Sequence, residues 1–199
     1  MDETRLLKDA LRLLGAKKED EEALSLLERV YRTYASVFRP RAVYSLLKIK
    51  EHSPEVRLEG YAFPLVGESI RRHLEKAEYA LLSAFTLGIA VDQKIKELSL
   101  SRPSDAVALN AIASVYAERI ADEMLAEERG KLEEKGYKTT FRFCPGYGDL
   151  PLGTNGEIAL ALGAQKKIGL TVTEKGLLLP GKSMIGICGA EPKDNEVKD

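Results

Sequence analysis

The chain has 199 residues, of which 44% are hydrophobic and 31% charged, and its 30 basic and 31 acidic side chains leave a formal net charge of -1. That size and apolar content suit one ordinary globular domain with a real core and argue against a disordered chain. The near-zero charge excludes roles that rest on a strong overall field, such as coating nucleic acid or lying on an anionic membrane. The longest apolar runs, such as 79–85, fall far short of a bilayer span, and no basic-then-apolar leader opens the sequence. A cytoplasmic protein is expected.

In chain order, Leu6, Leu7, Ala10, Leu11 and Leu14 recur at helical spacing, which predicts a helix over 3–14 stopped by Gly15. A second helix is expected over 20–36, ended by Arg39-Pro40 because the residue before a proline leaves the helical region. Strands are expected over 42–49 and 56–58, a short helix over 67–77, a buried strand over 79–87 and a helix over 89–98. The segment Ser101-Arg102-Pro103-Ser104-Asp105 supplies a proline break and a capping residue for the longest helix, which reaches about Glu134 before Gly136. Its apolar start and charged end predict that it runs out of the core into solvent. Beyond it, 138–143 reads as a strand, 144–153 as a Gly/Pro-rich loop, 156–162 as a helix, 168–172 and 184–188 as strands, and 177–181 as a turn. Helices and strands mix without regular alternation, so the fold class expected is α+β, helices packed around an antiparallel or mixed sheet. The organisation expected is one domain over 1–192, with a helical part over 1–37 and an α+β core carrying the loop over 38–192, followed by a charged tail over 193–199.

Chemistry-bearing residues are few. Two cysteines, Cys144 and Cys188, are too few for a disulfide framework, and the two histidines, His52 and His73, are not spaced with them as zinc ligands. Scarce Asn and Gln beside abundant Lys, Arg and Glu hint weakly at heat adaptation. The densest cluster of special residues is 142–151, Arg-Phe-Cys-Pro-Gly-Tyr-Gly-Asp-Leu-Pro. Its glycines let backbone approach a ligand, its prolines stiffen the loop, and Tyr147 offers a flat ring with a polar tip. Arg142 suits a carboxylate or phosphate through its planar fork. The same residues suit a tight structural turn whose arginine pairs only a neighbouring acid, and composition alone favours that simpler reading. Cys144 reads as a small apolar filler, since no histidine nearby in sequence activates it.

Arg142, Gly146 and Tyr147, followed by Pro151-Leu152, form an Arg-x-x-x-Gly-Tyr loop that resembles the S-adenosylmethionine-binding loop in the activation domain of cobalamin-dependent methionine synthase. The segments Arg39-Pro40-Arg41-Ala42-Val43-Tyr44, Ile168-Gly169-Leu170-Thr171-Val172-Thr173 and Leu179-Pro180-Gly181-Lys182-Ser183-Met184-Ile185-Gly186 look like short stand-alone members of that family, in the expected order over most of the chain. The resemblance implies a curved α+β unit, with a central twisted sheet, that binds S-adenosylmethionine and presents its methyl group to cobalamin on a neighbouring module. By resemblance Arg142 holds the ligand's carboxylate, Pro145, Gly146 and Tyr147 contact it through backbone and ring, and Glu118 lies where larger members place an acid. A solvated helix glutamate is the equally simple reading of Glu118. No catalytic residue and no metal ligand is expected. The chain departs from larger members at Ile187-Cys188-Gly189, where they carry aromatic residues, and in a shorter amino-terminal region.

Missing motifs narrow the field. There is no Gly-x-Gly-x-Gly turn after an early strand, no Cys-x-x-x-Cys-x-x-Cys cluster and no Asp-x-His-x-x-Gly loop, so a Rossmann methyltransferase, a radical enzyme and a cobalamin carrier are not expected. Cobalamin is then expected on a partner, either methionine synthase or a related corrinoid protein, with a flavodoxin-type electron donor. The leading expectation is an accessory reactivation subunit. The alternative is a non-catalytic scaffold for a corrinoid enzyme that has lost S-adenosylmethionine binding.

Overall fold

The computed structural model describes residues 2–17 and 20–193; the expected tail lies outside them apart from Lys193. Two amphipathic helices open the chain, α1 (Glu3–Leu13) and α2 (Glu21–Tyr34). Each begins where an aspartate, Asp2 or Asp20, accepts a backbone N–H of the first turn. After a 3-10 turn the chain enters β1 (Arg41–Glu51), then β2 (Arg57–Leu58), the short α3 (Glu68–His73) and β3 (Tyr79–Thr86). Helix α4 (Ile89–Ser101) leads into the 32-residue α5 (Pro103–Glu134). Then come β4 (Tyr137–Thr139), α6 (Thr154–Leu162), α7 (Ala164–Ile168), β5 (Thr171–Val172), β6 (Leu178–Leu179) and β7 (Ser183–Pro192).

Five strands form one antiparallel sheet in the order β2-β1-β3-β7-β4, and β5 and β6 pair as a separate two-stranded ribbon. Central β3 is covered on both faces, so it is mostly apolar, with Ser83 and Thr86 as its buried polar residues. Ala80, Leu82 and Ala84 face a core shared with Leu65, Ile70, Ile158 and Leu162, whereas Phe85 packs with Leu109 and Ile112 beneath α1, α2, α4 and α5.

Several expectations are corrected. Pro103 occupies the first turn of α5, but no side chain caps that end; Asp105 is buried and takes two hydrogen bonds from Arg29, at 2.7 and 3.2 Å. Nor does the charged end of α5 leave the core. Leu125 and Leu132 stay buried against Leu81, Cys188 and Ala190, because their spacing of seven returns both to the sheet face. The expected strand 168–172 is α7 followed by the two residues of β5: Gly169, with φ 74°, ends the helix in the left-handed region. The expected turn 177–181 contains β6, and the strand expected over 138–143 is interrupted after Thr139.

Candidate functional site

That interruption positions Arg142. Thr139 pairs with Ala190, and the next bridge joins Phe143 to Ile187, so the three residues 140–142 lie opposite the two residues 188–189. The extra residue bulges the edge and re-aims the chain. Phe143 joins the core shared with Leu82 and Ile185, while the aliphatic stem of Arg142 lies across Gly186: a Cβ there would sit 2.8 Å from Arg142 Cδ and closer still to Cγ. Gly186 stands opposite Ser83 in the ladder, and Ser83 opposite Tyr44, so one row of the sheet runs Tyr44, Ser83, Gly186 beneath the arginine. Ser83 Oγ donates to Gly186 O at 3.1 Å. Burial pushes the Tyr44 phenol up to about 12.

The guanidinium meets α5. Its Nη2 donates to Glu118 Oε2 at 2.6 Å, and its Nη1 lies 3.2 Å from Asp122 Oδ1. The Arg142 side chain is 13% exposed, whereas Glu118 and Asp122 are 62% and 63% exposed. Burial alone lowers the arginine's pKa, but the charges of Asp122 and Glu118 outweigh it and the net direction is upward. The structure thus brings Arg142 and Glu118 together as an ion pair, with the guanidinium fork already engaged within the chain. Asp122 was missed, although its spacing of four from Glu118 places both on one helix face.

The loop 144–153 is closed by Tyr147 N to Cys144 O at 2.9 Å, Gly146 N to Leu150 O at 2.9 Å and Leu150 N to Tyr147 O at 3.1 Å. Pro145 is buried, while Gly146 and Tyr147 are exposed. Gly146 has φ 93°, a conformation that favours glycine. Tyr147 stacks edge-on against Phe143 with centroids 5.8 Å apart, and His73 lies against Phe141 and Phe143. Asp149 anchors the loop by capping another element, taking Glu68 N at 2.7 Å and Ser69 N at 2.9 Å at the start of α3. Those backbone donors, Ser69 first, hold its carboxyl down at about 2. Burial raises the Cys144 thiol against the opposing pull of Arg142 and Tyr147. Ile187 and Cys188 are fully buried in β7.

A cavity of about 580 Å³ lies elsewhere, lined by Gly156, Leu160, Lys166 and Thr171 among others, and includes none of the five expected site residues. Among the described residues, no group of three or more His, Cys, Asp or Glu is arranged to hold a metal ion, and no helix is long and apolar enough to cross a membrane.

No family model matches the chain, and no curated protein matches it. Among solved structures, the crystal structure of the MetH reactivation domain bound to AdoHcy matches with a TM-score of 0.63 at 20% sequence identity, over 91% of this chain and 69% of that one. The chain therefore has the α+β fold of the MetH reactivation domain, the architecture that its sequence motifs implied.

Proposed function

We propose that the protein is an accessory subunit for the reductive reactivation of cobalamin-dependent methionine synthase, binding S-adenosylmethionine as methyl donor while cobalamin arrives on a partner. The observation that carries this reading is the charge set of Arg142, Glu118 and Asp122 above the Ser83–Gly186 row. One guanidinium and two carboxylates hold a single net negative charge, complementary to a ligand with one carboxylate, one ammonium and one sulfonium. In this reading Arg142 exchanges a carboxylate partner for that of the ligand, and the exposed Glu118 and Asp122 turn to its ammonium. The Tyr147 ring and the stiff Pro145-Gly146 backbone then take the adenosyl end.

The donor, when bound, supplies a methyl group already activated by the sulfonium. The chain's own residues need only orient it and exclude water, so no general base is required. The cobalamin partner is methionine synthase or a related corrinoid protein, a flavodoxin-type protein supplies the electron, and residues 1–192 work as one unit.

A second reading, a scaffold for a corrinoid enzyme without S-adenosylmethionine binding, is favoured by two observations. The charge of Arg142 is already met within the chain, and no ring stands at Ile187 or Cys188. Adding the protein, with S-adenosylmethionine and a reducing flavodoxin, to an oxidised, activation-deficient methionine synthase separates the two. Restored turnover that Arg142→Ala removes supports the first reading. A stable complex without restored turnover overturns it in favour of the second.

A further inference from the structure

A second cluster of donors lies at the residue just before β7, four positions ahead of Gly186 in the chain. Lys182 there is half-buried. Its ammonium donates to Asn110 Oδ1 at 2.7 Å and to Ser114 Oγ at 2.9 Å, both neutral atoms of α5. Among the described residues no carboxylate lies within ion-pair distance of it, and its third hydrogen has no acceptor. A lysine nitrogen only donates, so it fixes the Asn110 amide with oxygen inward and leaves the NH2 group free to donate.

Both residues line a cavity of about 310 Å³ together with Asp92, Ile95, Lys96 and Ser99 of α4 and Gly181. Lys96 is exposed and, among the described residues, makes no ion pair, whereas its neighbour Lys94 is engaged by Glu97 at 2.6 Å. The one carboxylate in the wall, Asp92, already accepts Gly181 N at 2.6 Å through Oδ2. The cavity thus carries a net positive charge and donors from three separate elements, with too few acceptors to match them.

We propose that this corner between α4, α5 and the start of β7 is a binding site for a phosphate-class oxyanion, free or as a monoester. Lys182 and Lys96 supply the charge, and the Asn110 amide supplies a directional hydrogen bond. Donors from three elements suit a tetrahedral anion better than a planar carboxylate. Burial pulls the Lys182 pKa down, partly opposed by Asp92, so a bound anion should raise it again. The inference stands apart from the reading of Arg142.

The test is a titration of the isotope-labelled full chain with inorganic phosphate, glycerol phosphate and acetate at constant ionic strength, following by NMR the backbone amides of residues 96, 110, 181 and 182, which every variant retains. Saturable shifts are expected with a phosphate, weakened about tenfold or more by Lys182→Met. They should be abolished by Asn110→Asp, which keeps the lysine paired and the fold intact, and unchanged by Arg142→Ala. Tighter binding of glycerol phosphate identifies an esterified ligand; equal or tighter binding of inorganic phosphate identifies the free ion. No saturation with either, acetate binding as well as phosphate, or wild-type affinity in Asn110→Asp would overturn the proposal.

Discussion

Replacing Gly186 with alanine tests how the fold holds the arginine. A Cβ at this position would lie 2.8 Å from Arg142 Cδ, closer still to Cγ and 3.5 Å from Phe143 O. Because it strikes the middle of the stem and not its flexible tip, the arginine must swing off Gly186 and the guanidinium away from Glu118 and Asp122. Overpacking of this kind costs about 1–3 kcal/mol. The two ion pairs add little, since both acids are mostly exposed. For a chain of this length the cost corresponds to a melting temperature about 2–12 °C lower. Thermal denaturation of wild type and Gly186→Ala, each with and without S-adenosylmethionine, provides the assay. The variant should melt lower and show no ligand-induced rise. A variant that melts with the wild type, or that gains as much from the ligand, would refute the placement of Arg142 over Gly186.

Further outcomes follow from the loop and its supports. Asp149 has a depressed pKa, so its contribution is complete above the ordinary carboxylate range near 4 and is lost as the pH falls toward about 2. Protection of the Glu68 and Ser69 amides, measured against their intrinsic exchange rates, should therefore fall across that window in wild type, and Asp149→Ala should show the low protection already at neutral pH; wild-type protection in the variant would contradict the capping role. The buried amide of Asn155 donates to Gly176 O at 2.9 Å. Asn155→Ala should lower stability to urea by about 1–3 kcal/mol, because the carbonyl loses its partner, and an unchanged midpoint would count against it. Cys144, half-buried with a raised pKa, should alkylate more slowly with iodoacetamide than glutathione does, while Cys188 should react only on unfolding. A Cys144 faster than glutathione would make it a reactive thiol and not a filler.

The helices and strands that bury a face were legible in the sequence, because periodicity encodes burial directly. The helices at 3–13 and 21–34 and the strands at 79–86 and 183–192 fall within a few residues of their expected bounds. The errors lie where tertiary contacts decide. The apolar run at 168–172 reads as a strand, yet Gly169 closes a helical turn within it. Leu125 and Leu132 look sparse among charged neighbours, but their spacing keeps α5 on the sheet. At the site, the loop is legible as a Gly/Pro-rich segment, Glu118 came only through the resemblance, and the spacing of four from Glu118 to Asp122 is the local signal that places both acids on one helix face. The bulge at 140–142, the row through Ser83 and Gly186 and the capping of α3 by Asp149 depend on pairings across about forty or more residues, which local pattern cannot carry.

Isothermal titration of the full chain with S-adenosylmethionine, repeated with Arg142→Ala, addresses the central claim most directly. A single saturable site is predicted, weakened about tenfold or more when the guanidinium is removed, as expected for a lost charge-assisted hydrogen bond. Absence of heat at millimolar ligand, or equal affinity in the two proteins, would contradict it.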